Sequence, residues 1–386
     1  MKILHFSTWK SGGAAKAAER LSSALSELGH DSKLIHMLSK LPAYFDAAVG
    51  KLGRDNNPIF HSYNYFPDKF LKIIRQEKPD LVHLHWIGAG FVRPESLMHC
   101  PVPILWTLHD LWPLLGAEHL PLDPTRMIEG YLPSNRPDTE HGLDLNRLVW
   151  ERKRELLSRQ TINFIAPSRA INTLASKAKL IGSQYLVHIP NFVDTNIFIP
   201  NSKNKGEFNI LYSAMNADLD PNKGLDLVVQ ALNTLPADLK SKVNLRIAGL
   251  SRLPNDVRID GIVVECLGVI KDDMEMARYY QSASLTVLPS RMENLPYVAM
   301  ESLACGTPVV AFGVGGIPEL VLHNKTGYLA KPYDTNDLAR GISTILNNQK
   351  LRAELSLNAA SHIKENFSKS KIVDAHLKLY NSLIEK

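Results

Sequence analysis

A two-domain α/β protein with a parallel sheet in each domain is predicted, and three observations predict it. The chain of 386 residues is longer than one domain usually is. Short apolar, β-rich segments alternate with helical segments over residues 1–190 and again over residues 206–366, as in βαβ units. Residues 191–205, between them, are polar and interrupted by prolines, as a linker is. The ligands of two such open sheets are expected in a central cleft where both sets of strands end.

Each domain contains its own series of predicted strands. In the first domain they are KILHF, SKLIHM, DLVHLHW, PILWTLHD and NFIAPS, with an amphipathic helix over residues 14–28 after the first strand. In the second domain they are FNILYSA, VNLRIAG, IVVECLG, SLTVLPS and TPVVAF, with a helix over residues 225–235. Apolar residues at near-helical spacing predict a last helix over residues 371–385.

The composition excludes several classes of protein. Hydrophobic residues make up 45% and charged residues 22% of the chain, which allows two apolar cores and excludes wholesale disorder. Cys100, Cys266 and Cys305 have no disulfide or metal-ligand spacing, so a reducing compartment, the cytoplasm, is expected. No window reaches about eighteen consecutive apolar residues, and the opening MKILHFSTWKSGG is too short and polar for a signal peptide. We therefore expect neither a membrane span nor secretion.

The net charge of +5 lies entirely in the first half of the chain. Residues 1–190 contain 23 Lys and Arg and 18 Asp and Glu, whereas the remainder contains 21 of each. This modest bias suits contact with an anionic surface, such as a phospholipid leaflet or a pyrophosphate-bearing substrate, and equally suits ordinary solubilising charge. It is too weak to favour nucleic acid.

Aromatic residues between positions 44 and 66 and a basic helix predicted over residues 147–159 lie in the same half. The aromatic residues are Tyr44, Phe45, Phe60, Tyr63, Tyr65 and Phe66. Together with the helix they could rest the first domain on a membrane or bind a lipid-linked pyrophosphate acceptor. Core packing and a solvated helix face are the alternative.

The segment PSRMENLPYVAMESLACGTPVVAFGVGGIPELV, residues 289–321, is the most informative motif. A strand ends before a loop that carries Glu293, and a helix follows over residues 296–304. The amides at Asn294 and Leu295 lie at the start of this helix, which makes the loop an anion cradle. Glu301 follows six residues later, about 9 Å along the axis, which resembles the distance from a diphosphate to its ribose. Taken singly, either glutamate is more often a solvated helix residue, but the combination is far more specific.

These residues carry a resemblance to the retaining family 4 glycosyltransferases of the GT-B fold. The run ENLPYVAME resembles that family's two glutamates with seven residues between them, and the flanking PS, ACGTPVVA, GVGGIPELV and TGYLA match as well. The likeness extends over essentially the whole chain, through the glycine-rich first loop, WTLHD and IPNFVD. It implies two Rossmann-like doubly wound domains, the first holding the acceptor and the second a nucleotide-sugar. It also implies that residues 367–386 form a helix crossing back to the first domain.

The resemblance implies a role for each site residue. The catalytic residues would be Glu293, His109 and Lys223, with Glu293 and His109 near the donor sugar and Lys223 at the diphosphate. The substrate-binding residues would be Gly12, Gly13, Asn294, Leu295, Glu301, Ile270 and Lys271. Glu301 would hold the ribose, the pair at 270 and 271 the base, and the glycine pair, which directly follows the first strand, the acceptor or a phosphate.

Lys223 opens the first helix of the second domain. A lysine at a helix start is disfavoured by the helix dipole unless an anion balances it, as a diphosphate would. The family normally places an arginine a few residues earlier, but the preceding stretch here, SAMNADLDP, has none. Asn216, Arg252 and Arg291 are candidate replacements.

No metal site is predicted. His83 and His85 lie on one strand face, but no third ligand is evident, and buried strand histidines are common. The DLD at residues 218–220 reads as a turn ahead of Pro221 rather than a metal-binding motif. We expect no cofactor besides the donor substrate.

The sequence therefore predicts a retaining, metal-independent hexosyltransferase. It would move a hexose, with UDP-glucose as the favoured donor, to a glycan or lipid-linked acceptor in cell-surface or exopolysaccharide synthesis. By family analogy, the acceptor attacks from the face that the diphosphate leaves. We expect a cytoplasmic protein, with peripheral contact at the inner face of the plasma membrane. The alternative is a nucleotide-sugar-processing enzyme of the same fold, either an epimerase or phosphorylase-like.

Overall fold

The computed structural model describes residues 1–53, 59–121, 123–201 and 208–385. The chain divides into two compact units, Met1–Pro190 with Val373–Lys386, and Asn191–Ile372. Residues 202–205 of the predicted linker and the first two residues of the predicted second domain lie outside the described residues, as do residues 54–58 of the aromatic stretch.

The first unit contains a six-stranded parallel sheet in the order β2-β1-β3-β4-β5-β6. Its strands are β1 (Lys2–Phe6), β2 (Asp31–Ile35), β3 (Leu81–Leu84), β4 (Ile104–Thr107), β5 (Ile162–Ala166) and β6 (Tyr185–His188). Its helices are α1 (Gly13–Glu27), α2 (Leu41–Gly50), α3 (Phe70–Glu77), α4 (Pro94–Leu97), α5 (Thr125–Glu129), α6 (Leu145–Arg159) and α7 (Arg169–Ala175).

The second unit also contains a six-stranded parallel sheet, in the order β12-β11-β10-β7-β8-β9. Its strands are β7 (Phe208–Ser213), β8 (Val243–Ala248), β9 (Val263–Gly268), β10 (Leu285–Leu288), β11 (Val309–Phe312) and β12 (Gly327–Ala330). Its helices are α8 (Leu225–Asn233), α9 (Ala237–Lys240), α10 (Asp273–Ser282), α11 (Tyr297–Ala304), α12 (Ile317–Leu320), α13 (Thr335–Asn347) and α14 (Gln349–Asn366). The last helix, α15 (Lys369–Ile384), begins in the second unit and ends in the first.

Two parallel sheets flanked by helices confirm the predicted doubly wound α/β fold. The strand prediction missed β6 and β12, each at one edge of its sheet. Edge strands are buried less than central ones, so their sequences YLVH and GYLA lack a long apolar run. The predicted central strands, in contrast, are almost fully apolar because helices cover both of their faces.

The two faces of the first sheet have different chemistry. Leu4 and Phe6 of β1 lie on one face, in the main apolar core of the unit. Successive side chains of a strand point to opposite faces, so His5 lies on the other face, level with His83 of β3. There His83 Nδ1 lies 2.7 Å from the hydroxyl of Tyr380, which α15 provides. The last helix thus completes a polar layer inside the first unit.

We expect the buried histidines to make the folded chain sensitive to acid. Burial, with a contribution from His376, lowers the pKa of His5 from 6.5 to about 3, and burial also lowers the pKa of His83 and His85 well below 6.5. The unfolded chain therefore binds protons that the folded chain does not. The free energy of unfolding should fall by about 1.4 kcal/mol per pH unit for each such histidine as the pH drops below about 6.

Urea denaturation at several pH values between 7.5 and 5 measures this slope. The variant His83→Phe should reduce the slope of the free energy of unfolding against pH by the contribution of one histidine. His99→Phe, which removes an exposed imidazole, should leave this slope unchanged. Equal free energies of unfolding at pH 7.5 and pH 5 would contradict the expectation.

Candidate active site

Three loops of the second unit follow the carboxyl ends of neighbouring central strands, β7, β10 and β11. Gly224, at the start of α8, has a φ of 68°, and a Cβ there would lie 2.2 Å from the carbonyl oxygen of Pro289. Gly315 has a φ of 53°, and a Cβ there would lie 1.8 Å from the carbonyl oxygen of Glu293. Only glycine allows both backbone conformations at such short separations. The two glycines therefore let the loop that contains Pro289 and Glu293 lie close against both neighbouring loops.

Lys223 and Glu293 form an ion pair at this meeting point. The Lys223 Nζ lies 3.1 Å from Glu293 Oε1, and the two side chains are 29% and 17% exposed. Burial alone would lower the pKa of Lys223, but the charge of Glu293, its hydrogen bond and the charge of Asp220 raise that pKa above its ordinary value. An ammonium group has three N–H donors, so Lys223 can hold Glu293 and a second anion together. The structure thus brings together two residues that were predicted on separate grounds.

The turn before α8 fixes the position of Lys223. The side chain of Asp220 accepts a hydrogen bond from the Asn222 N–H over 3.0 Å, and the Tyr212 hydroxyl donates to the Lys223 carbonyl oxygen over 3.1 Å. The side chain of Asn222 donates to the Met292 carbonyl oxygen over 2.9 Å. The turn is therefore tied to the Glu293 loop, and Asp220 acts as a turn residue, in line with the sequence interpretation.

The candidate replacements for the missing arginine differ in their surroundings. Arg291 forms a bidentate ion pair with Asp226 at 3.0 and 2.6 Å and also donates to the Pro221 carbonyl oxygen. The guanidinium of Arg291 therefore braces the Glu293 loop against the start of α8. Arg252 and Asn216 are exposed, and Asn216 adopts a left-handed conformation with a φ of 53°.

Glu301 lies in α11 and is 3% exposed. Its Oε2 accepts a hydrogen bond from the Tyr280 hydroxyl over 3.3 Å, and Tyr280 is itself hydrogen-bonded with Ser213 at the end of β7. Burial, with contributions from Glu301 and Cys305, raises the pKa of Tyr280 well above its ordinary value. Neither Ser213 nor Tyr280 was predicted as a site residue from the sequence. The position of Ser213 at the carboxyl end of a central strand was the available signal.

The other predicted residues of the second unit lie in two loops. Asn294 is half-buried, and the side chain of Leu295 packs into the apolar core. Pro296 follows at the N-cap position of α11, and its side chain makes no capping hydrogen bond. The anion cradle at this helix start stays a prediction. Ile270 and Lys271 lie between β9 and α10, where Ile270 packs partly against the core and Lys271 is exposed.

In the first unit, His109 follows β4 at the carboxyl edge of the sheet. Its Nε2 lies 3.0 Å from Nδ1 of His85, and burial lowers its pKa to about 4 against an opposing contribution from Asp110. Gly12 ends the exposed loop after β1, and Gly13, also exposed, is the first residue of α1. Gly12 has a φ of 94°, and no atom lies within 4 Å of a Cβ built on either glycine. The start of α1 is thus open, and it has no side-chain cap.

A second polar network lies beside His109 and was not predicted. Asp110 Oδ2 lies 2.6 Å from His119 Nδ1 and 2.5 Å from Nε1 of Trp86, and His119 Nε2 lies 2.7 Å from the hydroxyl of Ser62. Burial alone would raise the pKa of Asp110, but His119 and the hydrogen bonds lower it. Ser62 is fully buried, so this serine, histidine and aspartate brace the aromatic rings and do not present a nucleophile.

The structure adds a third histidine to the pair considered for a metal. Nitrogen atoms of His5, His83 and His85 lie within 4.8 Å of one another, so the expectation that a third ligand is absent was wrong. However, both nitrogens of His83 and both of His85 already have hydrogen-bond partners. A metal would have to displace these bonds, so the arrangement fits neutral hydrogen-bonded imidazoles better.

Helix α6 is the predicted basic helix. Two of its basic residues do not face solvent, so they cannot contribute to the proposed membrane contact. Lys153 is 1% exposed and donates to the Gly116 carbonyl oxygen over 2.6 Å, while Arg152 pairs with Glu95 and lies 4.0 Å from the ring of Tyr65. These two cations stabilise the first unit from inside. Tyr63, from the predicted aromatic group, is also buried in its core. Among the described residues, no helix combines the length and the apolar character needed to cross a bilayer.

Comparisons with known proteins show the family of this chain. Residues 194–362 match the family described as Glycosyl transferases group 1, and residues 11–197 match Glycosyltransferase Family 4. The uncharacterized glycosyltransferase MJ1607 of Methanocaldococcus jannaschii is 31% identical to this chain in an alignment that covers 97% of this chain and 95% of that protein.

Two solved structures share the fold along the whole chain. Sucrose-phosphate synthase from Thermosynechococcus elongatus superposes with a TM-score of 0.72 and 20% identity, over 100% of this chain and 99% of that chain. Anabaena Alr3699/HepE, solved in complex with UDP-glucose, superposes with a TM-score of 0.67 and 19% identity, over 99% and 100%. With both halves matched and a relative similar over nearly its full length, the chain belongs to the GT-B glycosyltransferases of the group 1 and family 4 type.

Proposed function

We propose that this protein is a retaining hexosyltransferase that uses UDP-glucose as its donor. The Lys223–Glu293 ion pair beside the uncapped start of α11 is the observation that supports this most. It joins a cation and a helix start without a side-chain cap, which suit a diphosphate, to a carboxylate, which suits sugar hydroxyls. The complex of Anabaena Alr3699/HepE with UDP-glucose supports the choice of donor, because that protein shares the fold.

The proposed chemistry is a substitution on one face of the donor sugar. The bond between the anomeric carbon and the diphosphate oxygen breaks, and a bond from that carbon to the acceptor oxygen forms on the same face. The acceptor proton passes to the departing phosphate oxygen. Negative charge grows on the diphosphate in the transition state, so Lys223 and the first amides of α11 would supply the main stabilisation.

Glu293 would have two effects. Its carboxylate accepts hydrogen bonds, so it can hold donor-sugar hydroxyls, and its charge keeps Lys223 protonated by raising the pKa of that lysine. His109, at the carboxyl edge of the first sheet, would provide a further hydrogen bond to the sugar. No divalent ion takes part in this proposal, because Lys223 and the helix amides neutralise the leaving group.

Glu301 would bind the ribose of the donor. It lies four residues into α11 from Tyr297, about 6 Å along the axis, because the helix begins later than the count from Leu295 that gave about 9 Å. Tyr280 orients the carboxylate through one oxygen. Ile270 and Lys271 would contact the base, and Gly12 and Gly13 the acceptor.

The acceptor would be a glycan or a lipid-linked sugar of cell-surface polysaccharide synthesis. Exposed apolar side chains in and around α2 support contact with the inner face of the plasma membrane, because such a patch is costly in water. These residues are Leu38, Leu41, Tyr44, Phe45 and Leu52. The protein would then work in the cytoplasm, at that surface.

We expect Glu301→Gln to weaken UDP binding. A neutral amide loses the charged acceptor for the ribose hydroxyls, which should cost about 1 to 3 kcal/mol of binding free energy. Isothermal titration with UDP measures the change. Glu354→Gln, on the exposed side of α14, is the matched control and should bind UDP as the unmodified chain does. Unchanged affinity in Glu301→Gln would remove this residue from the donor site.

Substitutions of Lys223 and of Glu293 should affect different kinetic and binding constants. Lys223→Ala should lower kcat/KM by about 10²- to 10³-fold, because it removes a charge that stabilises the leaving group. Glu293→Gln should reduce kcat more than it reduces UDP affinity, because its contact is with the sugar. Lys325→Ala, which removes an exposed lysine elsewhere in the unit, is the control. A Glu293→Gln variant with full kcat and weakened UDP binding would refute the assignment.

A panel of nucleotide-sugars tests the function itself. UDP-glucose should raise the melting temperature more than UDP-galactose, GDP-mannose or ADP-glucose, and UDP release should continue in EDTA. With an acceptor glycan, the product should keep the α-configuration of the donor, as measured from its anomeric proton coupling. Conversion of the free nucleotide-sugar to an epimer, release of glucose 1-phosphate, or activity abolished by EDTA and restored by manganese would each overturn the proposal.

A further inference from the structure

The residues that precede Lys223 and Glu293 in the chain are hydrogen-bonded to each other. The Asn222 carbonyl oxygen accepts from the Arg291 N–H over 2.8 Å, and Nδ2 of Asn222 donates to the Met292 carbonyl oxygen over 2.9 Å. The next residue is Lys223 on one side and Glu293 on the other, and their ion pair spans 3.1 Å. The ion pair therefore lies next to two hydrogen bonds that join the same two loops.

The turn that contains Asn222 is fixed by its own hydrogen bonds. The side chain of Asp220 accepts from the Asn222 N–H over 3.0 Å, and the Asp220 carbonyl oxygen accepts from the Lys223 N–H over 3.0 Å. The ring of Pro221, between them, restricts φ to one narrow range. Since Asn222 and Lys223 are adjacent in this tight turn, a contact that holds the Asn222 side chain also holds the start of the Lys223 side chain.

Three successive carbonyl oxygens of the Glu293 loop accept hydrogen bonds from three different segments. The Arg291 carbonyl oxygen accepts from the Tyr333 hydroxyl over 3.2 Å, and the Glu293 carbonyl oxygen accepts from the Gly316 N–H over 3.2 Å. The side chain of Asn222 donates to the carbonyl oxygen between these two. Each segment thus restrains one peptide unit of the loop, and Asn222 is the donor that comes from the turn before α8.

The Asn222 contact is more direct than the other connection between these loops. The ion pair of Arg291 with Asp226 reaches past Lys223 to the second residue of α8. Its side chains are 35% and 53% exposed, and an exposed ion pair contributes little in water. Asn222 is half-buried and binds the residue immediately before Glu293. Its partner there, a carbonyl oxygen, can only accept, so the contact requires a side chain that donates.

We infer that Asn222 is a positioning residue, which sets the separation of Lys223 and Glu293 through the hydrogen bond from its side chain to the Met292 carbonyl oxygen. The attraction between two charges weakens with distance, so a wider separation would lower the pKa of Lys223. This inference rests on the proposed function for its effect on catalysis, because the pair would act on the diphosphate and the sugar of the donor. The effect of Asn222 on the Lys223 amine does not depend on that function.

Competitive labelling of the full chain with acetic anhydride, followed by peptide mass spectrometry, tests the positioning without any substrate. The reagent attacks the unprotonated amine, so Lys223, whose pKa is raised by Glu293, should react more slowly at about pH 9 than the exposed Lys325. Asn222→Leu keeps the size of the side chain but not the donor, and it should speed the labelling of Lys223 by about threefold or more. Asn222→Gln keeps the donor and should change the rate much less. An unchanged rate in Asn222→Leu would overturn the inference, whatever the enzyme activity.

Two further variants separate positioning from a general loosening of the fold. Asn233 is a matched control, because it is also half-buried and its Nδ2 donates to the Arg258 carbonyl oxygen over 3.0 Å, at the last residue of α8. Asn233→Leu should leave the labelling rate of Lys223 unchanged. In Glu293→Gln, which removes the partner charge, adding Asn222→Leu should give little further increase. Equal rates in the two leucine variants, or the full increase in the double variant, would indicate loosening, and the inference fails.

Kinetics then connect the positioning to catalysis. In the transferase assay, Asn222→Leu should lower kcat/KM by about tenfold, because it displaces charged groups that contact the donor, and Asn222→Gln should restore most of the loss. Asn233→Leu should keep the kcat/KM of the unmodified chain. If no nucleotide-sugar is a substrate, the proposed function fails while the labelling rates still decide the positioning. If the chain is a transferase and Asn222→Leu keeps full kcat/KM, the positioning role fails alone.

Discussion

The ion pair between Lys223 and Glu293 is the interaction around which the second unit is organised. The pair requires the turn before α8 and the loop before α11 to lie within one side-chain length, and this closeness depends on Gly224 and Gly315. A methyl group on either glycine would overlap a carbonyl oxygen of the neighbouring loop. The glycines thus allow close packing of the loop backbones, and this packing brings the Lys223 and Glu293 side chains together.

Much of this site was visible in the sequence because its residues are neighbours along the chain. Glu293, the start of α11 and Glu301 lie within one strand-loop-helix segment, so their spacing follows from helix geometry. Lys223 could be assigned by the unfavourable position of a lysine at a helix start. Their direct ion pair could not be predicted, because it depends on how two separate loops meet, and no local pattern encodes that distance.

The first unit shows the opposite case. His5, His85 and His109 lie on three different segments, and only the register of the parallel strands places them in one row. The same holds for Ser62, Asp110 and His119. In the sequence, Lys153 looks like part of a solvated basic face, yet it is buried, because its stem and its hydrogen bonds to backbone carbonyl oxygens compensate it locally. Polar residues inside a core are therefore where sequence patterns were least informative.

The path of α15 has a consequence for how the chain is made. Tyr380 of this helix closes the polar layer of the first unit, although almost two hundred residues of the second unit separate it from that unit in the chain. During synthesis on the ribosome, residues 1–190 emerge before the second unit does, but the first unit stays incomplete until α15 has also emerged. The second unit can finish folding earlier than the first, so maturation would run against the order of translation. Loss of Tyr380 from α15 would then harm the part of the protein that is made first.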